Sequence, residues 1–462
     1  MNAILIWVVF PLIIGGLLFL FQSKRRLITL IGLGIAISLA SLAWAFPVGK
    51  VFMLGSWNFE ITGQFSVYGR QIILTQGDWP ILTLLYLMIA FWFLGSLATN
   101  VPSTFVPLGM VGAAMIVVGI SIEPSFYAAL VFEFVALLFV ILLSVPGRPL
   151  SKGVLRFLTL QTLGMLFILF AGWSFSQVEV NVIDTAILAR PLVMMGLGFS
   201  LLLGIFPFST WFPMLAGKND PYLTAFVFNL FLNGGMLFGL DFLEKYAWVN
   251  EYIDILGAIQ VVGAIMLGVG GVWAVFQRNL GRMLGYAMVA EIGCALLAYS
   301  LGVQGLSMYF ALLIIQVFAL AIWALALHLL YTQTQDLDYH AVAGIARHFP
   351  LLAAGILLAH FSLAGLPLLA GFPLQWALGS QLAQLDSYGI ALWLLLGRIG
   401  LASGGVRTLG VLFARSEEMP EKAPLKYLPK VLLILGGLAL IIFGFSPHYL
   451  IHVGEYLSLA LQ

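Results

Sequence analysis

Apolar residues in this chain come in long runs, not in stripes. Stretches able to cross a ~30 Å hydrocarbon core recur from end to end, separated by short polar or Gly/Pro breaks. A soluble helix would carry one apolar face, and a soluble strand would alternate. A membrane β-barrel would show alternating segments of about 10 residues. The runs therefore predict an all-α polytopic membrane protein with about 14 transmembrane helices. Their places are roughly 2–22, 27–46, 80–98, 104–121, 124–145, 154–174, 188–206, 221–240, 254–276, 282–301, 305–331, 349–381, 388–414 and 428–446. Connections are short, so residues 1–462 form a single membrane domain. Only the stretch 47–79 departs from this pattern. It reads Lys50-Val-Phe-Met-Leu-Gly, then Trp57-Asn-Phe-Glu-Ile-Thr-Gly, then Phe65-Ser-Val-Tyr-Gly. Aromatic residues alternating between glycines predict a β-hairpin outside the bilayer.

Composition sharpens the class. The chain is 62% hydrophobic and only 8% charged, a charge content too low for a soluble globule. Net charge is +1, and no basic patch or nucleic-acid motif is present. The one cysteine, Cys294, lies in an apolar run, which excludes a disulfide or a cysteine-based metal site. No cofactor is expected. Residues 2–22 are too long for a signal-peptide core and lack a preceding basic region. They are followed by Ser23-Lys24-Arg25-Arg26, so they read as the first transmembrane helix.

The distribution of lysine and arginine sets the orientation. With the loop at 23–26 cytoplasmic and sides alternating thereafter, fourteen basic residues fall inside. Lys50, Arg70, Arg190 and Lys245 fall outside. This positive-inside bias places both termini on the non-cytoplasmic face.

Ionisable residues inside apolar runs are the candidate functional groups, since each costs ~3 kcal/mol or more to insert at the helix centre. Glu133 lies in Ala128-Ala-Leu-Val-Phe-Glu, Glu291 in Val289-Ala-Glu-Ile-Gly, and Arg398 in Leu394-Leu-Leu-Gly-Arg-Ile-Gly. Each glutamate is either a proton carrier or a protonated group hydrogen-bonded between helices. Arginine stays charged, so Arg398 should face an acid or a hydrated cavity. Arg407 lies nearer a helix end, where its head can snorkel to the interface. His328 and His360 are candidate relay groups, because histidine as a residue type titrates near neutral pH. His360 is the better placed, just before the helix break at Gly365-Leu-Pro367.

Three segments, 207-PFSTWFP-213, 229-NLFLNGG-235 and 362-SLAGLPLLAGF-372, resemble motifs of the antiporter-like membrane subunits. This family comprises the membrane subunits of respiratory complex I (NADH:quinone oxidoreductase), Mrp-type cation/proton antiporters and energy-converting hydrogenases. The stretch 276-FQRNLGRMLGYAMVAEIG-293 is similar to another. Glu133 matches the family's buried fifth-helix glutamate. At its lysine positions this chain has Leu202, Asn233 and Gln375.

The resemblance implies two inverted five-helix repeats with broken helices 7 and 12. The first repeat would cover residues 104–240 and the second 254–414, flanked by 1–103 and 415–462. A weak internal echo agrees, since Gly204-Ile-Phe-Pro207-Phe-Ser-Thr-Trp211 resembles Ala370-Gly-Phe-Pro373-Leu-Gln-Trp376. Matched Gly/Pro interruptions mark a pathway near the midplane. The resemblance further implies proton movement along a central row of ionisable groups, here Glu133, Glu291, Arg398, His360, Asn233 and Gln375. It also implies partners among other membrane subunits, with redox chemistry elsewhere, and a place in a prokaryotic plasma membrane. Three functions remain open at this stage: a complex I-like subunit, an Mrp-type antiporter subunit, and a structural paralogue that moves no ions.

Overall fold

The computed structural model describes residues 2–54, 57–67, 69–175, 185–246, 248, 254–415 and 424–459. Its helices, in chain order, are α1 (Leu5–Leu20), α2 (Arg25–Ala45), α3 (Trp79–Ser96), α4 (Phe105–Ser121), α5 (Ala128–Leu143), α6 (Lys152–Phe175), α7 (Thr185–Leu202), α8 (Trp211–Ala216) and α9 (Pro221–Lys245). Then follow α10 (Ile255–Phe276), α11 (Leu280–Tyr299), α12 (Val303–Thr334), α13 (Pro350–Ala364), α14 (Gly371–Gln384), α15 (Tyr388–Leu412), α16 (Tyr427–Phe445) and α17 (His448–Ser458). Among the described residues, ten helices are long and apolar enough to cross a membrane, or eleven if the bent pair Tyr339–Arg347 and Pro350–Ala364 is one span. Three shorter apolar helices, Leu5–Leu20, Phe105–Ser121 and Ala189–Leu202, lie where further spans were expected. Length and apolarity alone therefore support fewer than fourteen spans.

The extended region differs from the single hairpin expected. Strands β1 (Val51–Leu54) and β2 (Trp57–Glu60) pair antiparallel. β3 (Gln64–Val67) and β4 (Arg70–Ile73) form a second hairpin. β5 (Ile122–Glu123), just after α4, pairs with β4 and covers its free edge. Gly69 supplies the positive φ, 74°, that the second turn requires.

Both expected helix breaks are present. After α7 the chain turns through Gly204 at φ 62° before a 3-10 turn at Phe208–Thr210 leads into α8. After α13 it turns through Gly365 at φ 74° and re-enters a helix at Gly371. The helix resumes ahead of Pro373. That proline sits in the first turn of α14, where no intrahelical partner awaits its missing N–H.

The second half is drawn together by backbone contact. A Cβ at Gly271 on α10 would lie 2.0 Å from the Gly397 oxygen of α15, and one at Gly293 on α11 would lie 2.7 Å from the Gly263 oxygen of α10. Side chains cannot enter such seams, so α11 and α15 each pack against α10 at backbone distance, and they also touch each other. Residues next to these glycines, Glu291 on α11 and Arg398 on α15, are held accordingly.

Candidate functional site

Glu291 and Arg398 meet in the protein interior. Arg398 Nη1 lies 2.5 Å from Glu291 Oε1, and the two residues are only 6% and 4% exposed, arginine first. The same nitrogen donates to the Leu363 carbonyl at 2.6 Å. Leu363 is in the last turn of α13, where helix termination leaves carbonyls without an intrahelical donor. Gln375 Nε2, on α14 across the break, donates to that same carbonyl at 2.9 Å. One carbonyl freed by the break thus gathers a cation and an amide, and the cation holds the buried carboxylate. A positive group at a helix C-terminus also suits the helix dipole.

His360 stands one turn before Leu363 and is fully buried. Its Nε2 lies 2.8 Å from the Leu401 carbonyl of α15. A carbonyl only accepts, so Nε2 carries the proton and Nδ1 is free to accept one. Leu401 is one turn beyond Arg398. Helices α13 and α15 are therefore cross-linked by two rungs, each a polar side chain on one helix bonded to a carbonyl of the other. The Trp323 ring packs against the imidazole with centroids 4.6 Å apart.

Several buried polar atoms around these rungs have no hydrogen-bond partner among the described residues. They are Arg398 Nε and Nη2, Gln375 Oε1, Ser362 Oγ and His360 Nδ1. Donors and acceptors stand open side by side. Such a site suits bridging water or a moving proton, because an unpaired buried polar group costs about 1–3 kcal/mol.

The first half is different. Glu133 is half-buried. Its Oε1 accepts from the Thr162 hydroxyl at 2.7 Å, while Oε2 has no partner among the described residues. It borders a stripe of exposed apolar residues, Leu130, Phe134 and Leu137, on the same helix. Arg398 is engaged with Glu291, not with Glu133. Asn233 is buried and donates through Nδ2 to Asn229 Oδ1 at 2.7 Å, one turn earlier in a π-helical stretch of α9. Leu202 closes α7 as a buried apolar residue.

Glu291, Arg398, Gln375 and His360 thus gather around one break, whereas Glu133 and Asn233 lie outside that network. The sequence reading missed Asn229, Thr162, Ser362 and Gln161, which is buried and has no hydrogen-bond partner among the described residues. Gln161 and Thr162 were readable as a polar pair within the apolar run Phe157-Leu-Thr-Leu-Gln-Thr-Leu. Asn229 and Ser362 open two of the motif segments, 229–235 and 362–372, but as neutral residues they were not singled out.

His328 is a fixed joint. Its Nε2 accepts the Asn100 backbone N–H at 3.0 Å, so Nδ1 carries the proton and donates to Asp220 Oδ2 at 2.7 Å. Asp220 in turn caps α9 by accepting from the amides of Tyr222 and Leu223. With both ring nitrogens occupied, His328 ties α12 to the start of α9 and to the loop after α3. Arg407 spreads its head over the Tyr339 ring, 5.6 Å from the centroid.

The family model described as NADH:quinone oxidoreductase/Mrp antiporter, TM matches residues 129–400, more than half of the chain. NADH-quinone oxidoreductase subunit N of Dehalococcoides mccartyi is 25% identical, with 98% of each chain covered. NADH-quinone oxidoreductase subunit 14 of Thermus thermophilus is 26% identical, with 92% of each covered. A chain of the solved Mrp complex from a Dietzia species superposes with a TM-score of 0.81 at 16% identity, over 99% of this chain and 96% of that one. By the extent of the family match, this chain belongs to the NADH:quinone oxidoreductase/Mrp antiporter transmembrane family.

Proposed function

We propose that this chain is a membrane subunit of an NADH:quinone oxidoreductase-type complex, and that its proton-responsive site lies in the second half alone. Relatives named as subunits of that oxidoreductase align along nearly the whole chain, which supports the assembly. The observation that carries the proton-handling role is the buried Glu291–Arg398 pair on the carbonyl of a broken helix. Arginine cannot give up its proton. It can only hold Glu291 ionised, or release it by swinging away, after which the carboxylate binds a proton to escape burial as a bare charge. His360, one turn before Leu363, offers a further acceptor in Nδ1, which has no hydrogen-bond partner among the described residues. In this reading residues 104–240 and 254–414 are the two inverted repeats, and only the second is charged at its break. The chain makes fourteen crossings of a prokaryotic plasma membrane, with both termini outside.

The test is proton uptake by vesicles containing the whole complex, followed with a pH-sensitive dye. Glu291→Gln should lower transport at least about tenfold, the loss of an interaction worth about 1.4 kcal/mol or more to the barrier. Unchanged transport with a lowered unfolding temperature would make the pair a staple for the break, and the proton role would fall. Affinity purification through a tag on this chain tests the assembly. Flavin and iron–sulfur subunits should come with it; small antiporter subunits in their place would assign it to an Mrp-type complex. Reporter fusions at Lys24 and Lys426 should fall on the same side of the membrane; opposite sides would refute the fourteen-span topology.

A further inference from the structure

A second polar site lies where α10 ends and α11 begins. A cavity of about 610 Å³ is lined by Arg278, Asn279, Arg282, Asp338, Tyr339 and His340. Its frame is fixed by backbone bonds. Leu280 N–H donates to the Leu337 carbonyl at 3.0 Å, and Tyr339 N–H donates to the Arg278 carbonyl at 2.8 Å. Asn279 Nδ2 donates to Asp338 Oδ1 at 2.8 Å. Neither guanidinium, of Arg278 or of Arg282, makes a hydrogen bond or ion pair with any described residue, although Asp338 lines the same cavity. The stem of Arg282 lies over Gly217, where a Cβ would come within 2.6 Å of its Cγ. One arginine is thus propped in place with its head open.

The surroundings say which anion fits. The cavity lies between the spans Ile255–Phe276 and Leu280–Tyr299, hence at the depth of lipid headgroups. In the last turn of α10, just before Arg278 in the chain, Trp273 and Phe276 are 51% and 66% exposed. The Trp273 ring lies parallel to that of Tyr286, centroids 6.5 Å apart. Two guanidiniums unpaired among the described residues, close along the chain to exposed aromatic rings, match a phosphate joined to acyl chains. A free inorganic phosphate would have no use for these rings. Basic pockets between membrane helices are known anion-lipid sites, and tryptophan favours this depth. Arginine binds phosphate through its planar fork.

We infer that Arg278 and Arg282 form a binding site for the phosphate of an anionic phospholipid whose acyl chains lie along Trp273 and Phe276.

Native mass spectrometry of the full-length protein, released from mixed micelles, reads the number of retained lipids. Wild type should hold phosphatidylglycerol in preference to phosphatidylcholine. Arg278→Gln/Arg282→Gln should weaken that preference about 25-fold, about fivefold per arginine. Arg148→Gln, an exposed arginine on another loop, should leave it unchanged. The phosphatidylcholine arm and the unfolding temperature report whether the double variant folds; if it does not, Trp273→Ala is substituted and should lower phosphatidylglycerol retention. An unaltered preference in a folded double variant overturns the site, as does an equal loss in Arg148→Gln. Inorganic phosphate that displaces the lipid at equal concentration would assign the pocket to the free anion. A photo-crosslink from position 340 to a neighbouring subunit in the assembled complex would assign it to a protein partner, and either result refutes the lipid assignment.

Discussion

The two helix breaks use the same backbone device and fill it with opposite chemistry. Each begins at a glycine in the left-handed region, Gly204 after α7 and Gly365 after α13. In the first, the freed groups are satisfied largely by backbone and sulfur. Ile205 N–H returns to the Ser200 carbonyl at 2.8 Å, Phe208 N–H to the Ile205 carbonyl at 2.7 Å, and Phe206 N–H reaches Met266 Sδ at 3.0 Å. Aromatic rings pack the space beside it, with Trp211 4.1 Å from Phe212 and 4.9 Å from Phe157. In the second, the Leu363 carbonyl takes a guanidinium and an amide, and the guanidinium holds an acid. A break supplies unpaired backbone, but the side chains around it decide whether it becomes a joint or a charged site.

Separating the charges should have the largest effect. Arg398→Met leaves Glu291 as an uncompensated buried carboxylate, and Glu291→Gln leaves the guanidinium likewise. Each should destabilise the protein by about 3–5 kcal/mol, read as a lowered unfolding midpoint in detergent. The double variant Glu291→Gln/Arg398→Met should recover most of that loss, because a buried pair replaced as a whole is often neutral. Transport should not recover with it. A double variant that moved protons normally would erase the distinction between the two breaks.

The seam that delivers the pair comes next. Gly271→Ala places a methyl group against the Gly397 backbone, which cannot give way as a side-chain tip would. Overpacking of this kind costs about 1–3 kcal/mol. It should also push α15 off α10 and lower transport while leaving Arg398 and Glu291 intact in sequence. Gln375→Ala is smaller. It removes one of two donors to the Leu363 carbonyl, a loss of about 1 kcal/mol in thermal stability, with Arg398 still holding the carbonyl.

How much of this was readable beforehand follows the physics of each feature. The apolar runs fix the helices because water exclusion from a bilayer acts on every residue, and both breaks stood out through Gly204–Pro207 and Gly365–Pro367. Glu291, Arg398 and His360 stood out because each is costly in an apolar run. Their pairing did not. It depends on glycine seams at Gly271 and Gly293 that bring distant helices to backbone contact, and forty-nine glycines offer no way to choose those in advance. The fate of His328 was hidden for a similar reason, since its partners Asp220 and Asn100 are far along the chain. The third strand beside the second β-hairpin was hidden because β5 arrives from beyond α4.

The smallest expected effect concerns Glu133, and it bears most directly on the contrast between halves. A carboxylate can act as a relay when a movable cation changes its affinity for protons. In the first half Leu202 and Asn233 are uncharged, and Asn233 is spent on Asn229. The only side chain bonded to Glu133 among the described residues is the Thr162 hydroxyl, which donates to Oε1. A glutamine at this position keeps an oxygen for that hydroxyl and loses only the ability to ionise. Glu133→Gln should therefore change stability by about 1 kcal/mol or less. It should also change vesicle proton uptake by less than about twofold, or about 0.4 kcal/mol of barrier. Set beside Glu291→Gln in the same assembled complex, the pair of measurements weighs one half directly against the other. Equal losses would mean that the first half carries protons without a cation at its break, and charge at the break would no longer separate a working half from a quiet one.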